Sequence, residues 1–166
     1  MKYRRFVLTL CLLALATTAL YGIDPSMVIE QPAVVIFGPE QADFIQAMRP
    51  VLFDFNDHEI DTKGDERAVD HDIKWLKAHP NVHFIIEGYT DWRGDVAYNM
   101  ALSQRRADAV KAEMVQAGIS SDRISFSVGW GKITQVCSEE DEACFTKNRR
   151  VHLVYVPSSD GAANGQ

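Results

Sequence analysis

Apolar and polar positions change period several times along the chain after residue 50. Val51, Phe53 and Phe55 alternate with Leu52 and Asp54, the two-residue period of a strand. Val69, Ile73 and Leu76 then recur at i, i+4 and i+7, behind Thr62-Lys63-Gly64-Asp65, which resembles a capping box with Asp in the place of Glu. This helix stops at His79-Pro80-Asn81, because proline offers no backbone N–H and disfavours a helical residue before it. From Val82 to Tyr89 the period returns to two, with Val82, Phe84 and Ile86 on one face. The turn Thr90-Asp91-Trp92-Arg93-Gly94 leads into a helical stretch from about Asp95 to Ala117, closed by Gly118 where a left-handed cap is expected. Ile124, Phe126, Val128 and Trp130 alternate with Ser125, Ser127 and Gly129, and Val151 to Val156 is a final strand. The order βαβαββ predicts an α/β two-layer sandwich, a small mixed sheet with two long helices on one face.

Residues 23–49 read as a connector. Pro25, Pro32, Pro39 and Pro50 block long elements and leave room for a short strand at Ala33 to Phe37 and a short helix at Glu40 to Met48. The domain proper is predicted over 50–157, and the polar residues 158–166 as a disordered tail. At the other end, Lys2, Arg4 and Arg5 precede an uncharged, Leu- and Ala-rich run from Phe6 to Leu20, the layout of a secretory signal peptide over 1–22. The run falls short of the roughly 20 residues a membrane-spanning helix needs. Cleavage after Ala19 or after Gly22 fits equally. Cys11, in Leu8-Thr9-Leu10-Cys11, follows bulky Leu10 where a lipoprotein signal carries a small residue, so it reads as part of the discarded apolar run.

Charge narrows the function classes. The formal charge is −6, and loss of residues 1–22 removes three basic residues and no acidic one, which takes it to −9. Phosphate attraction therefore does not drive binding to nucleic acid, and anionic lipid repels the chain. Cys137 and Cys144 are left as an even pair in an oxidising compartment, with six residues between them that carry four carboxylates. A disulfide stapling a solvated loop is the expected reading, with metal binding by two isolated Cys the weaker alternative.

The helix after the turn holds the most informative oddity. Ser103, Ala107, Val110 and Met114 form its apolar stripe, while Gln104, Asp108 and Lys111 point to water. Asn99 and Arg106, seven apart, lie nearly on one line that borders the stripe. Arg106 is therefore half-buried and needs a partner: it either snorkels or pairs with a structural carboxylate, or it lines a pocket with Asn99 and Asp91. A guanidinium beside a carboxylate complements a zwitterionic amino-acid end.

Gly88-Tyr89-Thr90-Asp91-Trp92-Arg93-Gly94, Tyr98-Asn99, Leu102-Ser103, the run Gln104 to Val110, Gly129-Trp130-Gly131 and Asn148-Arg149-Arg150-Val151 together resemble the OmpA-like peptidoglycan-binding domain, the type found in Pal lipoproteins in particular. Phe53-Asp54-Phe55-Asn56 and Ile60 fit as well, and the resemblance runs from about Val51 to Val156. It implies non-covalent binding of the peptidoglycan stem peptide, chiefly its meso-diaminopimelate. By the same resemblance Asp91 takes the ammonium and Arg106 the carboxylate, Asn99 and Arg93 border the pocket, and Phe53 and Asp54 lie beneath it. Trp92 either stacks over the ligand or caps the core, and Asn148 and Arg150 match the last motif in a ligand or a structural role. The Cys137–Cys144 loop resembles an insertion that is disulfide-bonded in some members. The implied location is the periplasm, with outer-membrane association; the misplaced Cys11 departs from the lipid-anchored pattern, and no barrel-forming run of strands precedes the domain.

No catalytic constellation, cofactor motif or metal site is read from the sequence. The five His are scattered, His79 and His83 are separated by a helix-breaking Pro80, and Ser103 lacks an elbow motif. The competing expectation is a periplasmic protein–protein interaction module of a Tol-Pal-like envelope complex, with the acidic segment Ser138 to Glu142 and Trp92 as contacts.

Overall fold

The computed structural model describes residues 38–60 and 63–157. The signal peptide, Cys11, the strand at Ala33 to Phe37, the capping residue Thr62 and the tail lie outside them. The elements run α1 (Pro39–Ala47), β1 (Val51–Leu52), α2 (Lys63–Ala78), β2 (His83–Gly88), α3 (Val96–Gln116), β3 (Ile124–Gly129), α4 (Glu142–Asn148) and β4 (Arg150–Val156). The four strands form one mixed sheet in the order β1-β4-β2-β3. β4 is antiparallel to both β1 and β2, and β2 is parallel to β3. The α/β sandwich is as expected; α1 falls where a short helix is expected at Glu40 to Met48, and α4 is the helix the sequence pattern does not show. Among the described residues no helix is long and apolar enough to cross a membrane.

Burial follows the periodicities. Phe84 and Ile86 of β2, Val151 and Leu153 of β4, Val69, Ile73 and Leu76 of α2, and Ala107, Val110 and Met114 of α3 share one core. Gly88 lets α3 approach β2 closely, since a Cβ there would strike the carbonyl of Ser103. The two ends of α3 are set by their caps. Asp95 accepts from the N–H groups of Ala97 and Tyr98, and Gly118, at φ +96°, carries the chain out in the left-handed region.

Two strands differ from their sequence pattern, and one helix expected in the connector joins the core. β1 ends at Leu52, because the chain turns at Asp54–Asp57 with Asn56 at φ 61°; Phe53 is still buried, but Phe55 is exposed. The alternation of β3 is broken by a register irregularity: Phe84 lies opposite Ile124, but Ile86 lies opposite Ser127. Ser127 and Gly129 therefore approach α3, and Phe126 is exposed instead of buried. Finally, the short helix before Pro50 seats Phe44 in the core, edge-on to Trp75 and Tyr155.

Candidate functional site

The loops after β1 and β2, the first turns of α3 and the α4–β4 junction converge at one end of the sheet. They enclose a recess of about 90 Å³ lined by Phe55, Asn56, Asp91, Arg93, Tyr98, Asn99, Arg106 and Arg149, among others. A larger groove between α1 and β4, about 320 Å³, has no Asp, Glu, Lys or Arg in its lining, and a cavity of about 220 Å³ beside α2 offers carboxylates without a cation, whereas the smaller recess brings a carboxylate and guanidinium groups together.

Arg106 is fully buried rather than half-buried, and it neither snorkels nor pairs with a carboxylate. Its Nε donates to the carbonyl of Asp57 (2.7 Å), Nη1 to that of Tyr89 (2.9 Å) and Nη2 to that of Asp54 (3.0 Å), so it ties the two loops to α3. Phe53 lies under its guanidinium, 5.2 Å from the ring centroid. Burial, reinforced by the Arg149 charge, pushes its pKa down to about 10. A guanidinium has five N–H groups and three are used here, so two remain for a ligand.

Asp91 is buried as well, and its carboxylate is saturated. Its Oδ1 accepts from the backbone N–H (3.1 Å) and Nε (3.2 Å) of Arg93, while its Oδ2 accepts from Arg93 Nη2 (2.7 Å) and Arg149 Nη1 (3.3 Å). Burial pushes its pKa up, but the side-chain and backbone hydrogen bonds from Arg93, with that of Arg149, outweigh this and hold it below the usual carboxylate range. Asn99 is buried and donates from Nδ2 to the carbonyl of Arg93 (2.8 Å), which fixes the turn against the helix.

Several expected positions move. Phe53 does lie beneath Arg106, but Asp54 is exposed and offers only its carbonyl. Phe55 and Asn56, just beyond it in sequence, line the recess instead, because the early end of β1 turns them toward it. Of the last motif, Asn148 is a staple: its Oδ1 accepts from the N–H groups of Val136 and Cys137, and its Nδ2 donates to the Cys137 carbonyl. Arg150 stacks over Tyr89, 4.1 Å from the ring centroid. Arg149, the residue between them, reaches Asp91. The signal that finds it is the arginine doublet itself, since two adjacent side chains leading into a strand diverge and only one of them faces the recess. Trp92 packs edge-on to Phe145, 4.9 Å between centroids, and does not line the recess.

Behind the lining residues Arg93 and Arg149 lies α4, which the sequence pattern does not reveal because its seven residues are mostly polar. Cys137 and Cys144 are joined in a disulfide, and Asp141 caps α4 by accepting from the Cys144 N–H. From α4, Glu142 reaches Arg149 (2.8 Å) and Arg93 (3.6 Å). The Arg93 guanidinium lies against two rings, 4.0 Å from the Phe145 centroid and 4.4 Å from that of Phe55. Three guanidinium groups thus surround one buried carboxylate at the mouth of a recess whose walls are partly aromatic.

Comparison with known proteins converges on the same region. The sequence profile described as the OmpA family matches residues 52–149. The peptidoglycan-associated lipoprotein of Haemophilus influenzae is 36% identical over 118 residues, 71% of this chain and 76% of its own length. That of Pasteurella multocida is 34% identical over 149 residues, 89% of this chain and 98% of its own. Among solved structures, the peptidoglycan-associated lipoprotein from Burkholderia pseudomallei is 36% identical with a TM-score of 0.60, covering 65% of this chain and 90% of that one. The C-terminal domain of Helicobacter pylori MotB, at 20% identity and a TM-score of 0.60, shares the fold, covering 69% of this chain and 89% of that one.

Proposed function

Since the chain belongs to the OmpA family, we propose that its charged recess binds the stem peptide of peptidoglycan and so tethers the cell envelope to the wall. The observation that carries this reading is the buried carboxylate of Asp91 set among Arg93, Arg106 and Arg149 at an open recess. A zwitterionic amino-acid end, such as the side-chain end of meso-diaminopimelate, brings an ammonium for the carboxylate and a carboxylate for the guanidinium groups, each with a directional partner. In this reading Asp91 receives the ammonium, and the spare N–H groups of Arg106 and Arg149 receive the carboxylate. Asn99 holds the turn, Arg93 borders the pocket, and Phe55, Asn56 and Tyr98 flank the rest of the ligand. Recognition by pocket geometry also lets an acidic chain bind an anionic polymer. The location that follows is the periplasm, on the wall side of the outer membrane.

A second reading is a docking module for periplasmic protein partners of the Tol type. Exposed Trp130, Ile133 and Val136, on the loop that follows β3, favour it. Sedimentation with purified diaminopimelate-type peptidoglycan separates the two. Wild type is expected in the pellet, with folded Asp91→Ala and Arg106→Ala in the supernatant, since each lost charge-assisted contact lowers affinity more than about tenfold. If wild type also stays in the supernatant, the partner-docking reading replaces wall binding.

A further inference from the structure

Asp91 has no acceptor site left for an incoming ammonium. An ionised carboxylate offers about four lone-pair positions, and here all four are filled, three of them by Arg93 through its backbone N–H, Nε and Nη2. The bidentate side-chain pair reproduces what an ammonium-bearing ligand would do: it brings a cation onto both oxygens of one carboxylate. Arg149 cannot yield in the same way. Its side chain is only 4% exposed, and it also donates to the Phe53 carbonyl (2.8 Å) and to Glu142. The side chain of Arg93 is 35% exposed, and beyond Asp91 it lies against the rings of Phe55 and Phe145, with Glu142 at 3.6 Å.

We propose that Arg93 is an internal competitor that occupies the ammonium seat on Asp91 in the free protein, and that it sets specificity by yielding only to a ligand that brings both an ammonium and a carboxylate. This rests on the reading above, in which the recess receives a zwitterionic stem-peptide end. On exchange, the ligand ammonium replaces the guanidinium on Asp91. The displaced guanidinium stays between Phe55 and Phe145, where cation–π contact and Glu142 hold it. There it faces the ligand with Arg106 and Arg149. A plain amine would leave three guanidinium groups facing one another without a new anion, so Arg93 keeps the seat. A plain acid gives no cation to Asp91, so Arg93 stays. Phe55, Phe145 and Glu142 are then positioning residues: they lower the cost of the exchange by keeping partners for the displaced side chain.

The test is calorimetric titration of a diaminopimelate-containing muropeptide, and of the same muropeptide N-acetylated at the diaminopimelate amine, into wild type and Arg93→Met. Methionine is chosen because it fills the space between the two rings. The variant is expected to bind the native muropeptide about tenfold more tightly than wild type, and to show no gain with the acetylated one. Where wild type binds the muropeptide, weaker or unchanged binding by the variant overturns the proposal and makes Arg93 an ordinary ligand contact or a bystander. A second readout needs no muropeptide: ethylammonium, followed by NMR shifts of the backbone amides at positions 91 and 93, is expected to saturate a site in Arg93→Met that wild type lacks. Absence of that site overturns the proposal whatever the muropeptide does. If ethylammonium saturates the variant but neither protein binds muropeptide, the competitor stands and the wall-binding reading fails.

Discussion

Arg106 and Arg123 are the same device at opposite ends of β2. Each is buried, and each donates Nε, Nη1 and Nη2 to three backbone carbonyls: Asp57, Tyr89 and Asp54 for Arg106, and Val82, Leu76 and His79 for Arg123. Arg123 ties the C-terminal end of α2 to the start of β2, and the Arg106 fork ties the loops after β1 and β2 to α3. Burial lowers the pKa of both, and both remain cations at any physiological pH. Only one of them lines a recess with a carboxylate and further arginines beside it. A buried arginine is therefore not itself a site signal. What separates the two ends is the company: Asp91, Arg93 and Arg149 gather around the Arg106 end, whereas the hydrogen bonds of the Arg123 guanidinium go to carbonyls.

The comparison breaks first under substitution of the two forks. Arg106→Ala and Arg123→Ala each leave three carbonyls without their donor, and each is expected to lower unfolding free energy by about 3 kcal/mol or more in denaturant titrations. Only the Arg106 variant should also lose peptidoglycan; equal loss of binding in both would mean that binding reports folding alone. Next in size is the disulfide, which staples the pocket end. Cys137→Ser with Cys144→Ser is expected to cost about 2 kcal/mol, and to weaken ligand binding as well, because α4 supplies Glu142 and Phe145.

Acid titration sharpens the contrast further. The pKa of Asp91 is depressed in the folded state, so its stabilising contribution is present above the ordinary Asp value and is lost as pH falls through the lower folded value. The stability of wild type should therefore fall more steeply below about pH 4 than that of Asp91→Asn, by chemical denaturation across the acid range. Asp72 is the opposite case. Burial pushes it up to about 6, against weaker lowering by His71 and the Arg49 backbone, and its Oδ2 has no hydrogen-bond partner. Its contribution is full below the ordinary Asp value and is lost as pH rises through about 6. Asp72→Asn is expected to gain about 1 kcal/mol at pH 7 and nothing near pH 4. A loss at pH 7 would show that ionised Asp72 is better satisfied than its contacts indicate.

Much of the fold is legible in the sequence because period and punctuation agree: Asp95 and Gly118 bracket α3, and Pro80 ends α2. The failures have a common cause in single-residue shifts that periodicity cannot resolve. A turn that begins earlier than the alternation suggests exchanges Asp54 for Phe55 and Asn56 at the recess, and one irregularity in β3 turns Phe126 outward. The same applies to Arg149, just before β4, and Arg150, its first residue, which are adjacent in sequence but reach Asp91 and Tyr89 respectively. Arg106 stands out on the helix wheel, but its three carbonyl partners come from residues 17 to 52 positions away, which no local pattern encodes. The saturation of Asp91 is invisible for the same reason.

Titration of free meso-diaminopimelate into wild type and Asp91→Asn, read by calorimetry at neutral pH, tests most directly whether this end of the sheet recognises a zwitterion. A saturable heat in wild type that falls more than about tenfold in apparent affinity in the variant is the predicted result. Equal binding by both proteins, or no heat from a wild type that still sediments with peptidoglycan, would contradict it and put the contact elsewhere on the surface.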